Sequence, residues 1–137
     1  MKKITYRLDD ISSVAKQLQE QLDNYRIITF TGPLGAGKTT LVKELLKQSG
    51  VADVVTSPTF TYLNIYENKK GQRFYHFDLY RIETLDQFLE AGFDEYLNQP
   101  QSLVLIEWPE PILPLLKEGA CHIKIEYAGD GRTLTLS

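Results

Sequence analysis

Cysteine occurs once in these 137 residues, at Cys121, so the chain holds no internal disulfide and no multi-cysteine metal site, which fits a reducing cytosol. Long apolar runs are missing too. The longest strongly apolar stretch, Leu103 to Ile106, falls far short of the ~20 residues that span a bilayer, and the Met-Lys-Lys start leads into no apolar signal core. A cytoplasmic protein with no membrane or export segment is therefore expected. Basic residues are not in excess: a net charge of -3 gives no global field for nucleic acid, so any role on RNA should be indirect. Lys and Arg are absent altogether between Ile82 and Leu116, where Glu83, Asp86, Glu90, Asp94, Glu95, Glu107 and Glu110 accumulate. Such a run is either a solvated face or a surface for a basic partner.

What is present describes a folding chain. With 42% hydrophobic and 24% charged residues the composition is globular, and a chain of this length forms one domain that buries roughly two-thirds of its unfolded surface. Ile4 to Leu8 reads as a strand, and Asp10 as the cap of a helix whose Ile11, Val14, Ala15, Leu18 and Leu22 follow helical spacing. Arg26 to Thr31 is β-rich and runs into the glycine-rich turn Gly32 to Gly37, after which Lys38 to Ser49 is helical and Gly50 is its stop. Ser57 to Tyr66 and Arg73 to Phe77 predict two antiparallel strands joined through Asn68-Lys69-Lys70-Gly71. Thr84 with Gln87 is a capping-box pattern, Asp94 to Leu97 adds a turn, and Ser102 to Ile106 has the pattern of a strand covered on both faces. A last hairpin pairs His122 to Tyr127 with Arg132 to Leu136.

The chemistry concentrates in Gly32-Pro33-Leu34-Gly35-Ala36-Gly37-Lys38-Thr39, which fits the Walker A pattern. A chain this long matches that pattern by chance about once in 200, and the strand before it and the helix after it are the context it requires. There the backbone N–H groups of Gly35, Ala36 and Gly37 and the helix dipole can converge on phosphate oxygens. Lys38 would reach the β- and γ-phosphates, Thr39 would place its hydroxyl on Mg²⁺, and Thr40 can add a contact near the α-phosphate. Phosphoryl transfer also needs a strand-end carboxylate on the metal or the attacking water, and both Glu107 and Asp78 qualify.

Other residues keep two readings. Ser57-Pro58-Thr59 is a proline-stiffened turn or a segment that senses the γ-phosphate, and Trp108 either packs or lies beside the nucleotide. Arg81 pairs with a surface acid or steadies phosphate charge. His76, on the same strand face as Asp78, reads as a hydrogen-bonded structural residue and Cys121 as inert.

A P-loop does not by itself name a reaction. Asn68-Lys69-Lys70-Gly71 lacks the Asp of the guanine-reading Asn-Lys-x-Asp, and the chain is too short for the ABC, helicase and ring ATPases. Arg7, Arg26, Arg73, Arg81 and Arg132 are scattered rather than gathered as in a small-molecule kinase. Three hypotheses stay open on the residues alone: an ATPase subunit, a small-molecule kinase, and a nucleotide-sensing module without turnover.

With these residues in hand the chain resembles the TsaE family, also called YjeE, nearly end to end. The Walker A segment through Thr40, Ser57-Pro58-Thr59-Phe60, His76-Phe77-Asp78-Leu79-Tyr80-Arg81 and Glu107-Trp108-Pro109 are similar to that family's ordered motifs. The resemblance implies an α/β, P-loop NTPase-like three-layer fold with a mixed central sheet flanked by helices. It also implies ATP and Mg²⁺ binding, weak hydrolysis alone, and action with TsaD and TsaB partners in making threonylcarbamoyladenosine on tRNA. By the match, Lys38, Asp78 and Glu107 are the catalytic candidates, with Thr39 and Glu107 on the metal. Gly35, Ala36, Gly37, Lys38, Thr39, Thr40 and Trp108 are the nucleotide-binding candidates.

Overall fold

A strand that is apolar on nearly every residue must be covered on both faces, and β5 (Ser102–Glu107) is: Val104 and Ile106 point into one layer of core, Leu105 into the other. This computed structural model describes residues 2–56, 58, 61–116 and 119–137. Strand β1 (Lys2–Tyr6) leads through a 3-10 turn at Leu8–Asp10 into helix α1 (Ile11–Leu22), and β2 (Ile27–Thr31) leads into α2 (Lys38–Gln48). The hairpin of β3 (Leu63–Glu67) and β4 (Arg73–Asp78) is followed by α3 (Leu85–Glu90), β5, and the hairpin of β6 (Ala120–Ala128) and β7 (Gly131–Leu136).

The strands form one seven-stranded sheet in the order β1-β7-β6-β2-β5-β4-β3. Its centre is parallel, with β6, β2, β5 and β4 running the same way, and its flanks are antiparallel. This is the mixed, helix-flanked α/β sheet that the resemblance implies. Helices α1 and α2 cover one face, where Val14, Leu18, Leu41, Val42 and Leu45 meet Ile28, Phe30, Phe74 and Leu105. On the other face α3 and the 3-10 turns at Phe93–Tyr96 and Glu110–Leu115 cover Tyr75, Phe77, Val104 and Ile106. Fully buried Phe77 packs edge-on against Phe93 at 5.5 Å and near Phe88 at 5.7 Å, burial that stabilises by about 1.5–3 kcal/mol per such ring.

Most local signals hold. Thr84 and Gln87 form the full capping box of α3. The Asn68 carboxamide oxygen accepts from the Lys70 and Gln72 N–H groups and closes the β3–β4 turn, while Gly50 follows α2 at a φ of 92°. Three details differ. The first strand is Lys2–Tyr6 rather than Ile4 to Leu8, because its register against β7 ends at Tyr6 and Leu8 enters the 3-10 turn. Asp10 holds the cap position of α1 without a side-chain bond, since that turn feeds the helix directly. The strand expected from Ser57 begins only at Leu63: Tyr62 sits at a φ of 65°, outside extended geometry, and its N–H donates to the Pro58 carbonyl. Ser57, Thr59 and Phe60 lie outside the described residues.

Candidate functional site

Strand alternation decides what gathers beside α2. His76 and Asp78 are two residues apart on β4, and Leu105 and Glu107 two apart on β5, so all four face the α2 side. The register pairs Asp78 with Glu107, which sets the two carboxylate residues side by side at the ends of adjacent parallel strands. The loop from Gly32 to Gly37 leaves β2, the neighbour of β5, and delivers Lys38 and Thr39 to the same end of the sheet.

The loop's shape depends on glycine at two positions above all. Gly32 takes a φ of 144°, and a Cβ there would stand 2.3 Å from the Ile125 carbonyl oxygen of β6. Gly37 takes a φ of 104° in the residue before α2, a conformation that L side chains rarely adopt. The final hairpin holds the loop from outside. The Tyr127 hydroxyl donates to the Leu34 carbonyl at 3.1 Å, Arg132 Nε donates to the Ala36 carbonyl at 2.9 Å, and the Arg132 guanidinium lies 4.5 Å above the Tyr127 ring.

Around the loop is a cavity of about 400 Å³ lined by Gly35, Gly37, Lys38, Thr39, Thr40, Asp78, Arg81, Glu107 and Trp108, among others. Every residue singled out for catalysis, metal or nucleotide therefore borders one space, except Ala36. The Ala36 side chain is buried in the core and its N–H donates to the Pro33 carbonyl at 3.1 Å.

Lys38 is 5% exposed, and its Nζ donates to the Gly32 and Pro33 carbonyls at 2.6 and 3.0 Å. The same ammonium sits 3.9 Å from the centre of the Trp108 ring. Burial lowers the Lys38 pKa from its ordinary value, and the charges of Glu107, Glu110 and Asp78 oppose that shift. Trp108 reaches this place through a φ of 58°, costly for a bulky residue, which turns the chain out of β5; its N–H donates to the Phe30 carbonyl. The ring packs against Tyr80 at 5.0 Å while bordering the cavity, so packing and site contact coexist.

Glu107 is the centre of a buried hydrogen-bond set. Thr39 Oγ1 donates to its Oε1 at 2.7 Å, and His76 Nε2 lies 2.6 Å from its Oε2. His76 and Glu107 are 0% and 2% exposed. Half-buried Asp78 accepts from the Tyr80 N–H through Oδ1 at 3.1 Å, which ties the chain leaving β4 to the cavity wall. His76, Tyr80, Tyr127 and Arg132 are residues of this neighbourhood to which sequence reasoning gave no role in it. Signals existed for His76, in its alternation with Asp78, and for His76 and Tyr80 together, in the family-like motif that runs through Asp78.

The comparisons with known proteins agree with one another. A family model described as "Threonylcarbamoyl adenosine biosynthesis protein TsaE" matches residues 5–134. A Rickettsia felis protein named tRNA threonylcarbamoyladenosine biosynthesis protein TsaE is 35% identical over 127 residues, covering 92% of this chain and 72% of its own length. A Bacillus subtilis protein of the same name is 35% identical over 133 residues, covering 95% and 82%. The crystal structure of Bacillus subtilis YdiB superposes with a TM-score of 0.74 at 30% identity, covering 98% of this chain and 84% of that one.

Proposed function

Because the chain belongs to the TsaE family, whose members take part in tRNA threonylcarbamoyladenosine biosynthesis, we propose that it is the Mg²⁺-dependent, ATP-hydrolysing subunit of that process. In this reading it is a single P-loop domain, cytoplasmic, working with TsaD- and TsaB-like partners and touching tRNA through them. No described helix is long and apolar enough to cross a membrane. The observation that carries the reading is the 2.7 Å bond from the Thr39 hydroxyl to Glu107, which joins the P-loop to a strand-end carboxylate at the wall of the cavity of about 400 Å³.

The donor set fits the cation. Mg²⁺ prefers one or two carboxylates or hydroxyls together with phosphate and water over an all-protein cage, and Thr39, Glu107 and Asp78 offer that kind of partial shell. Bound there, the ion would neutralise charge on the β- and γ-phosphates. The chain's own part is to hold and orient. Lys38 would exchange its two loop carbonyls for phosphate oxygens, and the Gly35 and Gly37 N–H groups at the helix entrance would add donors without side chains in the way. Glu107 would keep the Thr39 proton turned away from the cavity, and Asp78 would orient a water at its rim. Calorimetric titration of ATP with Mg²⁺ and with EDTA tests the reading; a folded chain that binds no ATP under either condition overturns it.

Three further results are expected. Trp108, the only tryptophan, borders the cavity beneath Lys38, so its fluorescence should change when ATP and Mg²⁺ saturate the site. No spectral response at saturation would assign the ring to packing alone. Turnover by the purified chain should be slow, below roughly 0.01 s⁻¹, and rise at least about tenfold when partners supply what one small domain lacks. The exposed acids of α3 and the following turn are the expected docking face, so Glu90→Lys with Glu95→Lys should weaken association about tenfold at low salt, less at high salt, with ATP affinity unchanged. Partner binding indifferent to both reversals would move the interface elsewhere.

A further inference from the structure

We propose that His76 is the positioning residue for Glu107, aiming one carboxylate oxygen so that the other meets Thr39 and fixes which way the Thr39 hydroxyl points. The inference rests on the reading of this cavity as a Mg²⁺–nucleotide site.

A carboxylate only accepts, so the 2.6 Å contact requires the proton on His76 Nε2, donated to Glu107 Oε2. The other ring nitrogen, Nδ1, is buried and has no hydrogen-bond partner among the described residues. Among the described residues Glu107 is thus the one hydrogen-bond partner of an imidazole that is 0% exposed in the sheet face next to Phe74. For stability alone this is a poor use of the position, because a buried polar atom without a partner costs about 1–3 kcal/mol, which an apolar side chain like its neighbours would avoid. What the imidazole does provide is a donor on the side of Glu107 opposite Thr39.

The consequence passes along the chain of bonds. With one donor, the carboxylate at the end of β5 can rotate and present either oxygen; with donors from β4 and from α2 on separate oxygens, it cannot. Thr39 then has its proton committed to Glu107 Oε1 and can offer only lone pairs to a cation in the cavity it lines. His76 touches no reacting group in this arrangement. It acts through Glu107 on the quality of a metal-facing oxygen, and partners of that kind are commonly worth 10–100-fold in metal affinity.

The test uses two variants that remove the donor, His76→Phe and His76→Met, and one that keeps an N–H near Nε2, His76→Gln. ATP affinity is measured by calorimetry with Mg²⁺ and with EDTA, and folding by thermal denaturation. In EDTA every variant should bind ATP within about twofold of wild type. The gain in affinity on adding Mg²⁺ should fall about tenfold in the donorless variants and return to within about threefold of wild type in His76→Gln. Donorless variants that keep the full Mg²⁺ gain, or a His76→Gln as impaired as His76→Phe, overturn the proposal. Failure of both donorless variants to melt cooperatively would also overturn it, by making the ring a core strut. Wild type that binds no ATP with or without Mg²⁺ is a different result, because it removes the nucleotide reading first and this proposal with it.

Discussion

Lys38→Ala should lower ATP affinity about 100-fold or more while shifting the melting temperature by no more than about 4 °C. Truncating one member of a desolvated, hydrogen-bonded charge pair costs about 2–5 kcal/mol, and each 1.4 kcal/mol is about a factor of ten in binding. The fold has far less at stake. The ammonium is engaged by the Gly32 and Pro33 carbonyls and the Trp108 ring, and burial penalises its charged form. Removing it loses those bonds and relieves that penalty together, and water can reach the exposed Pro33 in its place. Calorimetry and thermal denaturation on the same preparation separate the two effects. A folded Lys38→Ala that binds ATP as wild type does would end the P-loop reading.

The second large effect is expected at Glu107, and the choice of substitution matters. Glu107→Ala deletes the acceptor of half-buried Thr39 Oγ1 and of fully buried His76 Nε2, at about 1–3 kcal/mol for the buried donor left unsatisfied, so lost activity and lost folding would be confounded. Glu107→Gln keeps the volume. Its amide can pair with either neighbour, since the hydroxyl can turn to accept and the imidazole can exchange tautomers. ATP turnover should then fall about 100-fold or more, the scale of removing one preorganised electrostatic group, while ATP affinity in EDTA stays within about threefold. Single-turnover phosphate release decides. Normal release by Glu107→Gln would return the carboxylate to a structural role.

The local parts of this site were legible in the sequence. Strand, glycine loop and helix from Ile27 to Gln48 follow from apolar spacing and punctuation, and alternation correctly puts His76 and Asp78 on one face. What alternation within one strand leaves open is the neighbour: β4 lies against β5 only through a crossover, and His76 meets Glu107 across 31 residues. Tyr127 and Arg132 reach the loop across 93 and 96 residues and carry no local mark of that task. Of the strand expected over Ser57 to Tyr66, the described part is paired only from Leu63. Its β-branched and aromatic residues match a strand's composition, but Tyr62 turns at positive φ where pairing with β4 begins.

The hairpin clasp on the glycine-rich loop also has a consequence in time. A ribosome delivers the loop well before β6 and β7, so a growing chain holds Lys38 and Thr39 before it holds the residues that grip Leu34 and Ala36 from outside. Strand β1 emerges earlier still and has no ladder partner until β7 arrives to lie between it and β6. Closing such distant pairs costs loop entropy before any contact repays it, which places the order of events under the control of the late hairpin. The nascent chain therefore carries its Walker residues before the two side chains that clasp their loop, and competence to hold a nucleotide is expected to switch on with the arrival of β6 and β7 rather than rise gradually with length.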